Sequence, residues 1–347
     1  MYSEIKRTFA AKPDAIILAI ESSCDETAAA VIKGGREILS SKIMSSATEH
    51  VRFGGVVPEI ASRAHTSAVS LVVKEAIEAA GVTFEELDAV AVTYGAGLLG
   101  ALLVGVSYAK ALAYALDKPL IAVSHIRGHL AAAYLSDKTL EPPFVSLLAS
   151  GGHTAVIVVN SYNDFKILGS TLDDAVGEAF DKVARVLGLN YPGGPNIEKL
   201  AKEGKNSVKF PKMLKGEGGY NFSYSGLKTA VINYVHNKAQ TGEEFSKADV
   251  ACSFQAAALD ILVEKAVEAA KEYSLSTVTV GGGVAANGYL RAKLKEACDK
   301  NGLKLVLPEK ILCTDNAAMI GAEGYLRYLN GEFADLSLNA KARVELK

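Results

Sequence analysis

Ala15–Ile32 reads AIILAIESSCDETAAAVI, and Phe144–Asn160 reads FVSLLASGGHTAVIVVN. Both stretches have the same shape: an apolar strand, a turn of small polar residues, and an apolar return. Short runs rich in Ile, Val and Leu, broken by Ser, Gly, Thr and Asp, are read as β-hairpins. These turns are longer than the two-residue Asn-Gly type. Their small side chains leave backbone N–H groups uncovered, which suits phosphate oxygens. Two unrelated hairpins are the plain alternative; a duplicated unit is the reading that the rest of the chain favours.

Outward from the hairpins, strand and helix patterns alternate. Pro58–Ala80 is an amphipathic helix, and Asp88–Tyr94 is a buried strand leading into a helix from Leu98. Pro119–Ser124 is a strand followed by a helix through Tyr134. Further on, Asp173–Leu187 and Ala248–Tyr273 are predicted helical, Thr277–Val280 a strand, Ala285–Lys300 a helix, Leu303–Leu307 a strand and Asn316–Leu329 a closing helix. Such alternation indicates an α/β protein. A repeated α/β unit, each copy opening on a hairpin, resembles the actin-like ATPase (ASKHA) fold of sugar kinases and chaperone ATPases. That fold has duplicated RNase H-like halves and a central nucleotide cleft. The polar, proline-bearing stretch 135–143 is the expected boundary. The expected layout is an extension over 1–14, a first half over 15–140, and a second half over 141–347 with a helical insertion at about 170–250.

At 347 residues, the chain suits two halves of roughly 150 residues each. Hydrophobic residues at 49% and charged ones at 22% fit a globular protein with a sizeable core. The longest apolar run, Ala96–Leu116, reaches the ~20 residues of a membrane span. It contains Gly97, Gly100, Gly105, Ser107 and Lys110, and is read as a buried helix, so no membrane association is expected. The N-terminal residues lack the apolar stretch of a secretory signal and are read as a short disordered extension. Cys24, Cys252, Cys298 and Cys313 form no CxxC pair, which argues against a zinc ribbon or a disulfide framework and fits a reducing cytosol. A net charge of −2 gives no general basic footprint for nucleic acid.

The sharpest local signal is His125-Ile-Arg-Gly-His129. Histidines at i and i+4 project from one helix face and can hold one metal ion. A zinc-protease motif would place a glutamate directly after the first histidine, and Ile126 stands there instead. Asp315 is the best third ligand, although an acid at a loop–helix junction also reads as an N-cap. Cys313, a conceivable soft ligand, has apolar neighbours that indicate burial. Histidine ligands disfavour purely magnesium or calcium chemistry.

In the second half, Gly281-Gly282-Gly283 precedes Asn287 after a strand, a turn that lets backbone approach an adenosine. It lacks the spacing of a dinucleotide fingerprint. Asp174, Glu178 and Asp181 lie at i, i+4 and i+7 on the predicted helix, either as a solvated stripe or as partners of ribose hydroxyls. Tyr191–Pro195 reads as a rigid turn suited to a planar ligand. His153 either touches phosphate or satisfies its hairpin, His50 and His65 are placed near the cleft, and His236 on the surface. No Ser-His-Asp or Cys-His pair stands out, so no covalent nucleophile is assigned.

In order along the chain, IESSCDET, GGVVPEIASRAH, HIRGH, LASGGHT, EAFDKVARVLGL, YPGGP, FSYSGLKTAV, GGGVAANGYL and CTDNAAMIGAEG resemble the TsaD family. The first motif resembles its bacterial form. These are tRNA N6-adenosine threonylcarbamoyltransferases, once regarded as O-sialoglycoprotein endopeptidases. The resemblance runs from about Ile16 to Tyr325, and the ordered succession is far more specific than any single motif. It implies metal ligands at His125, His129 and Asp315. It also implies ligand-binding positions at Leu148, Ala149, Ser150, Gly151, Gly152, Asp181, Gly194, Glu198 and Asn287. One divalent metal per subunit is implied, iron(II) first with zinc or magnesium as alternatives, together with an adenylate or ATP-type ligand. The implied reaction moves the threonylcarbamoyl group of threonylcarbamoyl-AMP to the exocyclic amine of the adenine 3′-adjacent to the anticodon, in tRNAs that read codons beginning with A, and the implied location of the protein is cytoplasmic. TsaB-like and TsaE-like subunits are the implied partners. A kinase or carbamoyltransferase of the same fold, and a non-catalytic actin-like scaffold, are the competing readings; a scaffold has no need of the two histidines and Asp315.

Overall fold

The computed structural model describes residues 9–212, 214 and 219–344. In chain order, the first elements are β1 (Ile16–Glu21), β2 (Glu26–Lys33), β3 (Glu37–Ser45), α1 (Pro58–Ala80), β4 (Ala89–Gly95), α2 (Leu99–Ala115), β5 (Leu120–Ser124) and α3 (His125–Ser136). Next come β6 (Phe144–Ala149), β7 (Thr154–Ser161), β8 (Asp164–Ser170), α4 (Val176–Val186), α5 (Gly193–Ala201), α6 (Ser225–Thr241) and α7 (Lys247–Glu272). The chain continues through β9 (Thr277–Gly281), α8 (Gly288–Lys300), β10 (Lys304–Val306) and α9 (Ala317–Leu329).

Two compact units result: Met1–Leu140 together with Thr314–Lys347, and Glu141–Cys313. The first holds a sheet of order β3-β2-β1-β4-β5, and the second a sheet of order β8-β7-β6-β9-β10. In each, an antiparallel meander of three strands is extended by two parallel strands. Duplication is thus visible in the strand order itself. The meanders are completed by β3 and β8, two strands that the sequence pattern did not single out. Both lie at sheet edges and carry mixed polar residues, so neither presents a clean apolar run.

In the first unit, Leu18, Ile20, Val90 and Val92 turn one sheet face towards Val69, Val72 and Val73 of α1 and Leu102 and Val106 of α2. The opposite face carries small residues: Ala19 lies in register with both Ala30 and Ala91. There α9 comes in closely. A Cβ at Gly321 would lie 2.4 Å from Ile32, and one at Gly324 would lie 2.7 Å from the Cβ of Ala91. This contact corrects the expected layout, in which 141–347 formed one half. Thr314–Lys347 belongs to the first unit, because α9 fits the alanine face of its sheet. Beyond α9, Lys341 N donates to Tyr94 O (2.8 Å) and Gly97 N donates to Ala342 O (3.1 Å), so the C-terminal strap follows the end of β4.

The expected disordered extension also needs correction. Residues 1–8 lie outside the described residues, but Phe9 packs edge-on against Tyr328 and Phe333, and Tyr325 donates its hydroxyl to Pro13 O. The aromatic ring and an available carbonyl give this segment something to bury and to bond. In the second unit, Val145, Leu147, Val156, Val158, Val278 and Val280 pack on Phe180, Phe254 and Leu259. Helices α4, α5 and α6 lie within the stretch expected to be a helical insertion. Among the described residues, no helix is long and apolar enough to cross a membrane.

Candidate metal centre and adenylate loops

Strands β1, β4 and β5 are parallel neighbours, and their carboxyl ends present Glu21, Thr93 and then Ser124 leading into His125. This end of a parallel sheet is where α/β proteins collect their chemistry. His125 is the first residue of α3, a helix buried from His125 to Leu135. Between the two histidines, Gly128 allows α9 to pack closely; a Cβ there would lie 2.7 Å from Ile320. Arg127 Nε, 2.6 Å from Glu323 Oε1, ties the same two helices together through a buried ion pair.

Just ahead of α9, Asn316 is the N-cap, accepting from Met319 N through its side chain. Capping therefore falls to Asn316, and Asp315 turns towards the imidazoles. Its Oδ1 lies 3.4 Å from His125 Nε2 and 3.4 Å from His129 Nε2. One ligand atom from each of the three residues lies within 4.8 Å of the others. The expected layout put Asp315 in the second half and the histidines in the first; the structure has all three in one unit.

Neither ring nitrogen of the buried His129 makes a hydrogen bond among the described residues. Bonds of roughly 2.1 Å to a common ion would place ligand atoms about 3 to 3.5 Å apart. Two imidazoles and a carboxylate at this spacing fit a transition-metal or zinc ion better than a hard cation that prefers oxygen ligands only. Burial disfavours charge on both rings. In His125 the Asp315 and Glu21 carboxylates outweigh it and push the ring up to about 9. In His129, burial and the neighbouring His125 hold the ring below its usual range.

The turn between β1 and β2 is braced by two further histidines. His65 Nε2 donates to Cys24 O (2.9 Å), leaving Nδ1 to accept from Thr27 Oγ1 (2.7 Å). His50 accepts from Val57 N (3.3 Å) and lies 3.1 Å from Ser46 Oγ, which donates to Asp25 O (3.0 Å). Both therefore fix loop geometry instead of facing a ligand directly. Burial and the carboxylates of Asp25 and Asp315 push Glu26 up to about 9. Glu21 and Thr93 escaped the sequence reading; the available signal was an acid closing an otherwise apolar strand.

The positions assigned to ligand binding in the second unit lie at the end of β6 and in the turn after it, on α4 and α5, and at the start of α8. Leu148 and Ala149 close β6, and in the following turn Ser150 N donates to His153 O (2.8 Å). Gly151 and Gly152 are exposed, and a Cβ on either would meet nothing within 4 Å. Gly177 N donates to Ser150 O (3.1 Å), seating this turn on the start of α4. Asp181 Oδ1 accepts from Gly193 N (2.7 Å), and Glu198 Oε1 accepts from Gly288 N (3.2 Å). Gly194 stands in the first turn of α5, so the proposed Tyr191–Pro195 turn ends earlier than expected, at Pro192. Asn287 caps α8 by accepting from Leu290 N, and its Nδ2 donates to Gln255 Oε1.

The acidic stripe is also modified. Asp174 precedes α4 and binds Lys182 and Lys228, while Glu178 pairs with Lys182. Lysines therefore absorb two of the three acids. His236 is exposed, as expected, and Cys313 is buried.

The profile of the TsaD family, tRNA N6-adenosine threonylcarbamoyltransferase, matches residues 37–322. The chain belongs to the TsaD family. A tRNA N6-adenosine threonylcarbamoyltransferase of Clostridium perfringens is 55% identical to this TsaD-family chain over 332 residues, covering 95% of the chain and 98% of the relative. The Clostridioides difficile protein of the same name is 52% identical, covering 96% and 99%. Among solved structures, HypF of T. kodakarensis aligns with a TM-score of 0.63 at 18% identity, over 92% of this chain and 48% of that one. Component A of the (R)-2-hydroxyglutaryl-CoA dehydratase of Acidaminococcus fermentans aligns at 0.53 and 17%, over 90% and 99%. At these identities the structural likeness bears on fold alone, and the fold is that of the actin-like ATPases.

Proposed function

We propose that this chain, in the cytoplasm, transfers the threonylcarbamoyl group of threonylcarbamoyl-AMP to the exocyclic amine of the adenine 3′-adjacent to the anticodon, in tRNAs reading codons that begin with A. His125, His129 and Asp315 hold the metal, with iron(II) the first candidate. The observation that carries the metal reading is the approach of His125 Nε2, His129 Nε2 and one Asp315 oxygen to a common point.

The reaction joins the adenine nitrogen to the carbamoyl carbon, breaks the bond from that carbon to the phosphate oxygen, and releases AMP and a proton. A divalent cation bound there supplies Lewis-acid polarisation of an oxygen that gains charge. The chain's own part is to bind and orient. Exposed N–H groups at Gly151 and Gly152, beside the start of α4, suit the adenylate phosphate. Leu148, Ala149 and Ser150 set that turn, whereas Asp181 and Glu198 hold the Gly193–Gly194 and Gly288 backbone in place and Asn287 fixes the start of α8. Holding the adenylate in one pose lowers the barrier by proximity. No acylated side chain is invoked. TsaB-like and TsaE-like subunits complete the proposed assembly.

The test combines the chain, those subunits, threonylcarbamoyl-AMP and tRNA, and measures the modified nucleoside by mass spectrometry. His129→Ala is expected to lower the rate at least ~100-fold, in keeping with the several kcal/mol that a Lewis acid contributes. Chelation should abolish activity, and restoring iron(II), zinc or magnesium separately identifies the metal. Full activity in His129→Ala would remove the metal from the mechanism.

A further inference from the structure

We propose that Glu21 is a positioning residue that aims the His125 ring at the metal and supplies the second negative charge of the centre. This rests on the metal reading above. Glu21 has no solvent exposure. Its carboxylate is fixed by two donors outside the histidine pair: Ser23 N donates to Oε1 (2.5 Å) and Thr93 Oγ1 donates to Oε2 (2.5 Å). The third neighbour is His125 Nδ1, 3.2 Å from Oε2. Ser23 Oγ lies 3.1 Å from the same nitrogen.

A carboxylate held in this way accepts only, so the ring nitrogen facing it carries the hydrogen. When a metal displaces the second proton, the opposite nitrogen, Nε2, is the one that offers its lone pair, on the side of Asp315 and His129. Metal-bound histidines commonly depend on such a partner for ring orientation and donor strength. His129 has no hydrogen-bond partner at Nδ1 among the described residues, so the two imidazoles are not equivalent. One is held by the packing of α3, the other by a carboxylate rooted in β1 and β4.

Charge gives a second, independent argument. Two neutral imidazoles and Asp315 leave a divalent cation with one uncompensated positive charge in a buried place. Glu21 supplies the missing charge without taking a coordination position, so positions stay open for an oxygen of the substrate.

Competition with a colorimetric chelator, using zinc and cobalt(II) separately, tests this on the purified full chain. Glu21→Gln preserves the shape of the side chain but removes its charge, and is expected to weaken binding about 10- to 100-fold. The visible bands of bound cobalt(II) should shift as the His125 ring loosens. Thr93→Val, which removes only the brace on Glu21, is expected to weaken binding several-fold. Circular dichroism and thermal melts establish that each variant is folded; if Glu21→Gln is not, Thr93→Val carries the test. His129→Ala serves as the non-binding reference. Wild-type affinity and an unchanged cobalt spectrum in the folded variants would overturn the role of Glu21 while leaving the metal centre standing. A folded wild-type chain that binds neither ion would overturn the metal centre and this role with it.

Discussion

His65 shows how a single buried ring can make the fold sensitive to acid. Burial holds its protonation below the ordinary imidazole value of 6.5, with the bond to Cys24 O opposing that shift. Above pH 6.5 the ring is neutral in the folded and the unfolded chain, and its contribution is fully present. As pH falls below that value, the unfolded chain takes up a proton that the folded chain resists, so stability falls. The melting temperature should therefore drop between pH 7.5 and pH 5.5 by more in wild type than in His65→Gln. Equal drops would mean that other groups control this range. The same ring illustrates what a sequence withholds. His50 and His65 carry no spacing signal in the chain, and only the fold shows them as braces of the β1–β2 turn. Spacing on one helix identified His125 and His129; nothing in the spelling of β1 announced that Glu21 and Thr93 would stand beside them.

At the level of elements, the contact between α3 and α9 decides whether the candidate centre exists. Arg127 and Glu323 meet there at 2.6 Å, both buried, and Arg327 lies 3.1 Å from the same Glu323 oxygen. Removing Arg127 leaves the buried Glu323 carboxylate with Arg327 as its remaining partner, short of half its compensation. Arg127→Met is expected to cost about 3 kcal/mol in urea unfolding. Adding Glu323→Leu should recover much of that loss, because replacing both members removes the desolvated charges together. A loss below about 1 kcal/mol in the single variant would show that packing around Gly128 and Gly321 suffices to join the helices. Helices α1 and α9 and the two hairpins were legible in the sequence because each shows its own periodicity, whereas the cap of α9, offered at Asp315, falls on Asn316. Where α9 would dock was not legible. Its partner face is made of Ala19, Ala30 and Ala91 on three different strands, and no local pattern joins them.

For the whole molecule, two sheets with the same strand order record the duplication that the paired hairpin sequences suggested. The units differ in how the chain enters them. Glu141–Cys313 is continuous, whereas the other unit is assembled from both ends of the polypeptide. An ion bound by His125, His129 and Asp315 joins the two segments of this unit and should stabilise it. If it binds only the folded chain, a free concentration 100 times its dissociation constant adds about 2.7 kcal/mol. Adding zinc to metal-free protein should raise the melting temperature, and His129→Ala should erase most of that rise. An unchanged melting temperature in wild type would count against the centre.

The late arrival of α9 has a consequence for biosynthesis. A ribosome releases the strand bearing Glu21 long before the segment bearing Asp315. Folding during translation can finish the continuous unit while the other still waits for its final helix. The nascent polypeptide therefore has no complete three-residue cradle for scavenging cellular ions until the segment bearing Asp315 has followed the whole of Glu141–Cys313.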